Sequence, residues 1–283
     1  MIPASVRDWI DEQRFGPVTA VQPVGGGCIN NGARLQTHRG RSFFLKTNSS
    51  APADMFAREA EGLQALNVSG GPRIPQVYLH GPDFILLEDL SPAARNSTYW
   101  LDFGRTLAAI HNQVEDRFGF HHDNYIGSTR QANPWTVDGY AFFGQHRLIF
   151  QANLAVQNRE LNKADAGRVE RIAMRLPDLV PYQPASLIHG DLWSGNALTD
   201  SGGGPALIDP AAHFGWAEAE LAMTALFGSF PEVFYRSYQE SRALEPGFLD
   251  RFPIYNLYHL LNHLNLFGAG YLGQVQAIIR RYG

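Results

Sequence analysis

The sequence predicts an α+β protein of two lobes, a small antiparallel sheet with one main helix followed by a larger, mainly helical lobe. Three observations predict it. Residues 1–90 alternate short apolar segments with glycine-rich turns, which reads as a series of hairpins. After Ser91–Pro92 the apolar residues recur at helical spacing. One stretch, "SLIHGDLWSGNALTDSGGGPALID" (186–209), interrupts those helices with a strand, a loop and a hairpin turning at Gly202–Gly204. The lobes are therefore expected at 1–90 and 91–283, with a cleft between them.

In chain order, a short helix from Val6 to Gln13 precedes three strands, "VTAVQPV" (18–24), "ARLQT" (33–37) and "SFFLK" (42–46). The loop "GGGCINNG" and the turn "HRGR" separate them. "SSAPADMFAREAEGLQAL" (49–66) is expected to be a helix, with Asp54 as its cap and Met55, Phe56, Ala60, Leu63 and Leu66 on one face. "PQVYLH" and "FILLEDL" supply two further strands. The second lobe reads as helices over 98–114, 137–162, 164–176, 217–228 and 249–267, and only residues 186–209 break the pattern.

Composition excludes several classes. With 45% hydrophobic and 18% charged residues the chain builds a substantial core. Its net charge of -4, with both signs mixed along the sequence, argues against nucleic acid or an anionic membrane as the main partner. No apolar run reaches the ~18 residues that span a bilayer, and "MIPASVRDWIDEQRF" lacks a secretory core. Cys28 is the only cysteine, which rules out an internal disulfide and fits a cytoplasmic location. Of 23 basic residues only Lys46 and Lys163 are lysine. An ammonium is a compact point charge and a guanidinium a flat fork, so a lysine kept in so arginine-rich a chain draws attention to Lys46.

The chemistry-bearing residues are each ambiguous alone. Gly25, Gly26 and Gly27 between two strands let backbone N–H groups approach phosphate oxygens, although a glycine triplet by itself is more often a plain turn. A dinucleotide fingerprint is excluded because a strand, not a helix, follows. Lys46 ends an apolar strand, and Glu59, thirteen residues on, lies near the apolar stripe of the next helix. Such a pair aims an ammonium at nucleotide phosphates. Glu61 is the competitor, but it points about 200° around the helix from Glu59. Asp191 follows an apolar strand and is placed to take a proton from a hydroxyl; Asn196 and Asp209 offer the hard oxygen donors that suit Mg²⁺. Singly these are turn or cap residues. In this order, after a glycine loop and Lys46, they form a set.

That set resembles the protein-kinase-like phosphotransferases, in which a catalytic Asp is followed after four residues by an Asn and then, past a hairpin, by a second Asp. "HGD" and "IDP" stand where eukaryotic protein kinases have "HRD" and "DFG", as in the aminoglycoside and choline kinases. "HGDLWSGN", "GGGCIN", "LLEDL", "NYIGSTRQAN.W" and "LAMTALFGSF...FY..Y" then resemble the fructosamine kinase (ketosamine 3-kinase) family over essentially the whole chain. The resemblance implies a bilobal protein-kinase-like fold and ATP- and Mg²⁺-dependent phosphorylation of the sugar 3-hydroxyl of a ketosamine. The phosphorylated product sheds the sugar, so glycated amines are repaired. The substrate would be a small ketosamine or a glycated protein lysine, and the protein a monomer or homodimer.

Carried over residue by residue, the resemblance makes Asp191 the catalytic base, Asn196 and Asp209 the metal ligands, and Lys46 with Glu59 the phosphate-positioning pair. The glycine loop, including Cys28, would cover the phosphates, and Glu88, Asp89 and Leu90 would form the adenine hinge. Asn124, Trp135 and Trp193 are candidates for sugar contact, with local packing the equal alternative, and His189 is expected to prop the loop. Two positions depart from the family pattern "HRE.D": Glu220 stands where an Asp would brace the catalytic loop, and Ala217 where an Arg is usual. A lone cysteine is by default inert, but Cys28, in a loop close to Lys46, is a candidate for reversible oxidation. Two other functions compete: another small-molecule kinase of the aminoglycoside or choline type, and a non-catalytic nucleotide-binding module. Against the first, a polycationic substrate wants carboxylates, and residues 251–283 contain none. Against the second, Lys46, Asp191, Asn196 and Asp209 are all intact.

Overall fold

A computed structural model describes residues 2–25 and 30–283. Helix α1 (Ala4–Glu12) leads into a five-stranded antiparallel sheet of β1 (Val18–Val24), β2 (Asn31–Thr37), β3 (Ser42–Thr47), β4 (Val77–Gly81) and β5 (Phe84–Glu88), ordered β1-β2-β3-β5-β4, with α2 (Met55–Leu66) between β3 and β4. Side chains alternate across a strand, and β3 uses both faces. Phe43 and Leu45 pack with Val6 and Ile10 of α1 in a small core, whereas Phe44 packs against the main core on the other side. β5 is apolar from Phe84 to Leu87 because both its faces are covered there: Phe84 and Leu86 join the α1 core, Ile85 and Leu87 the main one.

The second lobe contains α3 (Tyr99–His111), β6 (Val114–Glu115), the hairpin β7 (Asn124–Ile126) and β8 (Thr129–Gln131), α4 (Gly139–Phe143), a π-helical turn over Gly144–Ile149, α5 (Phe150–Gln157), α6 (Lys163–Met174) and α7 (Leu176–Leu179). Then come β9 (Ala185–Ile188), the hairpin β10 (Ala197–Thr199) and β11 (Pro205–Leu207), β12 (His213–Gly215), α8 (Ala217–Leu226), α9 (Glu232–Ser241), α10 (Phe248–Phe267) and α11 (Leu272–Tyr282). The β10–β11 turn forms as the glycines predict: Asp200 Oδ1 accepts the N–H groups of Gly202 and Gly204 at 2.8 and 2.9 Å.

Several sequence-based expectations need correction. Residues 186–209 are not the only interruption, since β6, the β7–β8 hairpin and β12 also lie among the helices. These strands are two or three residues long, too short for an alternation to register. The long helical pattern at 137–162 is broken by the π-helical turn, and α9 and α11 are additional helices. Helix α2 starts at Met55, and Asp54 makes no capping hydrogen bond. Its carboxylate instead accepts the hydroxyl of Tyr125, on β7, at 2.7 Å.

Candidate active site

The strand alternation that buries Phe43 and Leu45 turns Lys46 to the opposite face, toward α2. Lys46 is 5% exposed, and its ammonium donates to Glu59 Oε1 at 2.6 Å and to Asp209 Oδ1. Glu61 turns away, as helix geometry requires, to Arg58 (2.9 Å) and His122 (2.8 Å). Gly62, one turn beyond Glu59, lets α2 approach the residue after Asp209, since a Cβ there would meet the Pro210 ring at 3.2 Å. The helix that carries Glu59 is thereby seated on the segment that carries Asp209.

β9 buries all four of its side chains and delivers the chain to the loop 189–196. His189 is fully buried; its Nδ1 accepts the N–H of Asp191 at 3.2 Å and its Nε2–H donates to the carbonyl of Ile208 at 2.8 Å. That pairing needs the neutral ring, and burial holds its pKa below the ordinary histidine value. Gly190 has φ +85°, and an added Cβ would lie 2.2 Å from the carbonyl oxygen of Ala211. Only glycine allows the loop to sit so close to the strand that follows Asp209.

Beneath the loop, Glu220 of α8 accepts the N–H groups of His189 and Gly190, both at 2.7 Å, and Nε2–H of His111 at 3.0 Å. The residue that departs from the family pattern therefore braces the loop directly. Burial opposes its ionisation, but the hydrogen bond and charge from His111 and the bonds at His189 hold its pKa below the usual value. Ala217 is buried at the start of the same helix.

Asn196 spends its two amide hydrogens on Asp191, on the backbone oxygen at 2.8 Å and on Oδ2 at 3.3 Å. Its own oxygen remains an acceptor. Burial pushes the Asp191 carboxyl up to about 7; the Asn196 amide opposes this and the Glu220 charge adds to it. A carboxylate poised there is suited to proton transfer near neutral pH. Asp209 lies two residues beyond β11 with φ +58°, left-handed backbone that costs a non-glycine residue about 1–3 kcal/mol and persists only where the surroundings fix it. The Ile208 N–H donates to the Asn196 carbonyl at 3.2 Å, which keeps the two segments together.

Asn196 and Asp209 fit a hard divalent cation such as Mg²⁺, which retains waters and takes one or two protein oxygens along with phosphate oxygens. No group of three or more His, Cys, Asp or Glu side chains suited to a metal occurs among the described residues.

Other expected site residues are distributed unevenly. Gly25 is exposed, and a Cβ there would meet nothing within 4 Å, while Gly26, Gly27 and Cys28 lie outside the described residues. At the expected hinge, the Glu88 N–H is donated to the Gln76 carbonyl at 2.8 Å. The Asp89 carboxylate is held by Arg34 at 2.7 Å, by the Ser91 N–H at 3.0 Å and by Ser42. The Leu90 side chain is buried. Trp193 is half-buried with its edge toward Phe227 (6.4 Å), and Trp135 is half-buried under the Arg117 guanidinium (5.0 Å).

For Asn124 the geometry favours local packing. It is 4% exposed, its Nδ2 donates to the Ala212 carbonyl at 2.8 Å, and its Oδ1 accepts from Gln131 and Asn133 at 2.7 and 3.0 Å. Both lone pairs of its oxygen and one of its amide hydrogens are therefore taken within the protein. Gln131, Asn133 and Arg147, which complete this buried cluster, were missed in the sequence, where their motif stood out only through family resemblance.

A buried Lys–Glu pair on a small sheet and helix, facing an Asp–Asn loop and a second Asp after a hairpin, defines a phosphotransferase of protein-kinase-like architecture. The chain matches the fructosamine kinase family over residues 3–282 and belongs to it. It is 42% identical over 264 residues to a probable ketoamine kinase of Synechocystis, covering 91% of this chain and 88% of that one. It is 39% identical over 288 residues to the chloroplastic protein-ribulosamine 3-kinase of Oryza sativa subsp. indica, covering 98% and 83%. A crystal structure from Thermobifida fusca, of a protein provisionally named fructosamine-3-kinase, superposes with a TM-score of 0.88 at 32% identity, covering 98% and 97%. A choline kinase from Streptococcus pneumoniae shares the fold, with a TM-score of 0.65 at 15% identity over 98% and 96% of the two chains.

Proposed function

We propose that the protein is an ATP-dependent ketosamine 3-kinase, transferring a phosphoryl group to the sugar 3-hydroxyl of fructosamine- or ribulosamine-type adducts. The observation that carries the reading is the Lys46 ammonium shared between Glu59 and Asp209, beside the Asp191–Asn196 loop. Family membership and the rice relative named protein-ribulosamine 3-kinase support the substrate class.

In this mechanism Asp191 orients the sugar hydroxyl and accepts its proton. Lys46, held by Glu59, meets the α- and β-phosphates, and the glycine loop covers them. Asn196 and Asp209 would hold Mg²⁺ together with the nucleotide, and the bound ion would neutralise charge on the phosphoryl oxygens. Catalysis rests on positioning, with the hydroxyl and the γ-phosphoryl group held in line. Trp193 and Trp135 give the sugar and its amine flat apolar faces. The acceptor is a free ketosamine or a glycated lysine of a protein, and the phosphorylated product then releases its sugar. The enzyme works in the cytoplasm, a location that the single cysteine supports. No helix among the described residues is long and apolar enough to cross a membrane.

The test is ATP consumption with a ribulosamine or fructosamine, with Asp191→Ala as control. Sugar-dependent turnover that vanishes in the variant is expected. Turnover with kanamycin or choline but not with a ketosamine would replace the reading with another small-molecule kinase.

A further inference from the structure

A buried cation of the helical lobe has no place in that mechanism. Arg147 is 1% exposed and makes no ion pair among the described residues. Burying a charge without a direct ion pair costs several kcal/mol, and burial lowers its pKa to about 10, against the opposing pull of Tyr258 and the Asp123 charge. It sits in the π-helical turn Gly144–Ile149, a kind of irregularity common at functional sites. Its guanidinium lies over the rings of Phe142 (4.5 Å) and Tyr258 (5.7 Å) and donates to the carbonyls of Ala132 (2.7 Å) and His146 (3.1 Å) and to Asn133 Oδ1 (2.6 Å).

The last of these bonds sets the direction of a relay. A guanidinium only donates, so Asn133 must present its oxygen to Arg147 and its NH₂ to Asn124 Oδ1. Asn124 must then present its own NH₂ to the Ala212 carbonyl. Gln131 runs in parallel: Tyr258 donates its hydroxyl to Gln131 Oε1 at 2.6 Å, which turns the Gln131 NH₂ to Asn124 Oδ1 and to the Ala211 carbonyl at 3.1 Å. The two carbonyls so pinned lie two and three residues after Asp209, whose left-handed backbone needs fixing from outside.

We propose that Arg147 is a positioning residue for Asp209, acting through Asn133, Asn124 and Gln131 on the carbonyls of Ala211 and Ala212. This rests on the reading of Asp209 as a metal ligand. The amides of the relay are symmetrical in shape; the donor-only guanidinium orients Asn133 and through it Asn124, while the Tyr258 hydroxyl orients Gln131.

The test is ADP binding to the full chain by calorimetry, with and without Mg²⁺, comparing Arg147→Gln, Arg147→Lys, Tyr258→Phe and Asp209→Asn. The Mg²⁺-dependent gain in ADP affinity is expected to fall by about tenfold or more in Arg147→Gln. It is expected to recover partly in Arg147→Lys, which keeps a donor-only end, and to fall by less in Tyr258→Phe. Metal-free ADP affinity should not change, a separation that general loss of structure would not produce. A folded Arg147→Gln with the full gain, where Asp209→Asn has lost it, overturns the proposal. If Arg147→Gln does not fold, Tyr258→Phe with the full gain overturns it instead. If Asp209→Asn itself keeps the gain, the assignment of the metal to Asp209 fails, and the proposal with it.

Discussion

The N–H of Gly190 donates to Oε1 of Glu220 at 2.7 Å, so a carboxylate from α8 supports from below the loop that carries Asp191. Its other oxygen serves His189 and His111. Both oxygens are committed, and hydrogen bonds to charged groups contribute about 1.5–3 kcal/mol each. Glu220→Gln turns an NH₂ against a backbone N–H. It is expected to lower stability by about 2–3 kcal/mol and to reduce kcat with little change in KM for ATP. Urea melts and steady-state kinetics at pH 7.5 check this; coincident melts and an unchanged kcat would show that the loop needs no brace.

Asp191→Asn keeps the shape of the site and removes the base. Its kcat is expected to fall by about 10²–10⁴, with ADP affinity retained. In the free protein, carbon NMR of the Asp191 carboxyl should show a titration near 7, as burial dictates. Removing the Glu220 charge makes ionisation easier, so the same titration should move down in Glu220→Gln. A titration that stays put would mean that Glu220 does not act on Asp191 through its charge.

Lys46 and Glu59 are 6% and 10% exposed at their side chains, and removing one partner of so buried a pair costs about 3–5 kcal/mol. Lys46→Met is expected to lose stability on that scale and to lose activity. Adding Glu59→Gln removes the stranded carboxylate and should restore part of the stability but none of the activity. Recovery of turnover in the double variant would remove Lys46 from the mechanism.

Stability should fall as the solution is acidified from pH 7.5 to 5.5. His111, His189, His213 and His259 are buried, and burial lowers all four pKa values, that of His259 to about 3. A depressed histidine pKa means that the unfolded chain takes up protons first, near the ordinary value of ~6.5. The stabilisation is therefore complete above that pH and is lost below it, by about 1.4 kcal/mol per pH unit for each histidine protonated only when unfolded. Urea midpoints at the two pH values measure it, and equal midpoints would contradict neutral burial.

The Lys46–Glu59 pair was legible because both of its ends follow from local periodicity. A two-residue repeat turns Lys46 away from Leu45, and a 3.6-residue repeat separates Glu59 from Glu61. The loop from His189 to Asn196 was legible because an apolar strand must deliver it and a glycine-marked hairpin must follow. Whether Asn124 packs or meets a sugar was not legible in the sequence. Polarity shows that a group wants a partner and says nothing about whether the protein already supplies one.

By itself the sequence determined the order of strands and helices in the small lobe, the lysine, the acidic residues and the asparagine of the candidate site, and the family to which the chain belongs. Only the tertiary structure decided that Glu220 reaches the loop its shorter counterpart would brace, that α2 rests on Pro210, and that the motif around Asn124 is a buried strut. Asn124 and the Ala212 carbonyl are 88 residues apart in the chain, and Glu220 and Gly190 are 30 apart. Periodicity encodes which face a residue turns to the core. Which distant group it meets there is fixed only when the elements pack, because at that point every buried donor must find an acceptor.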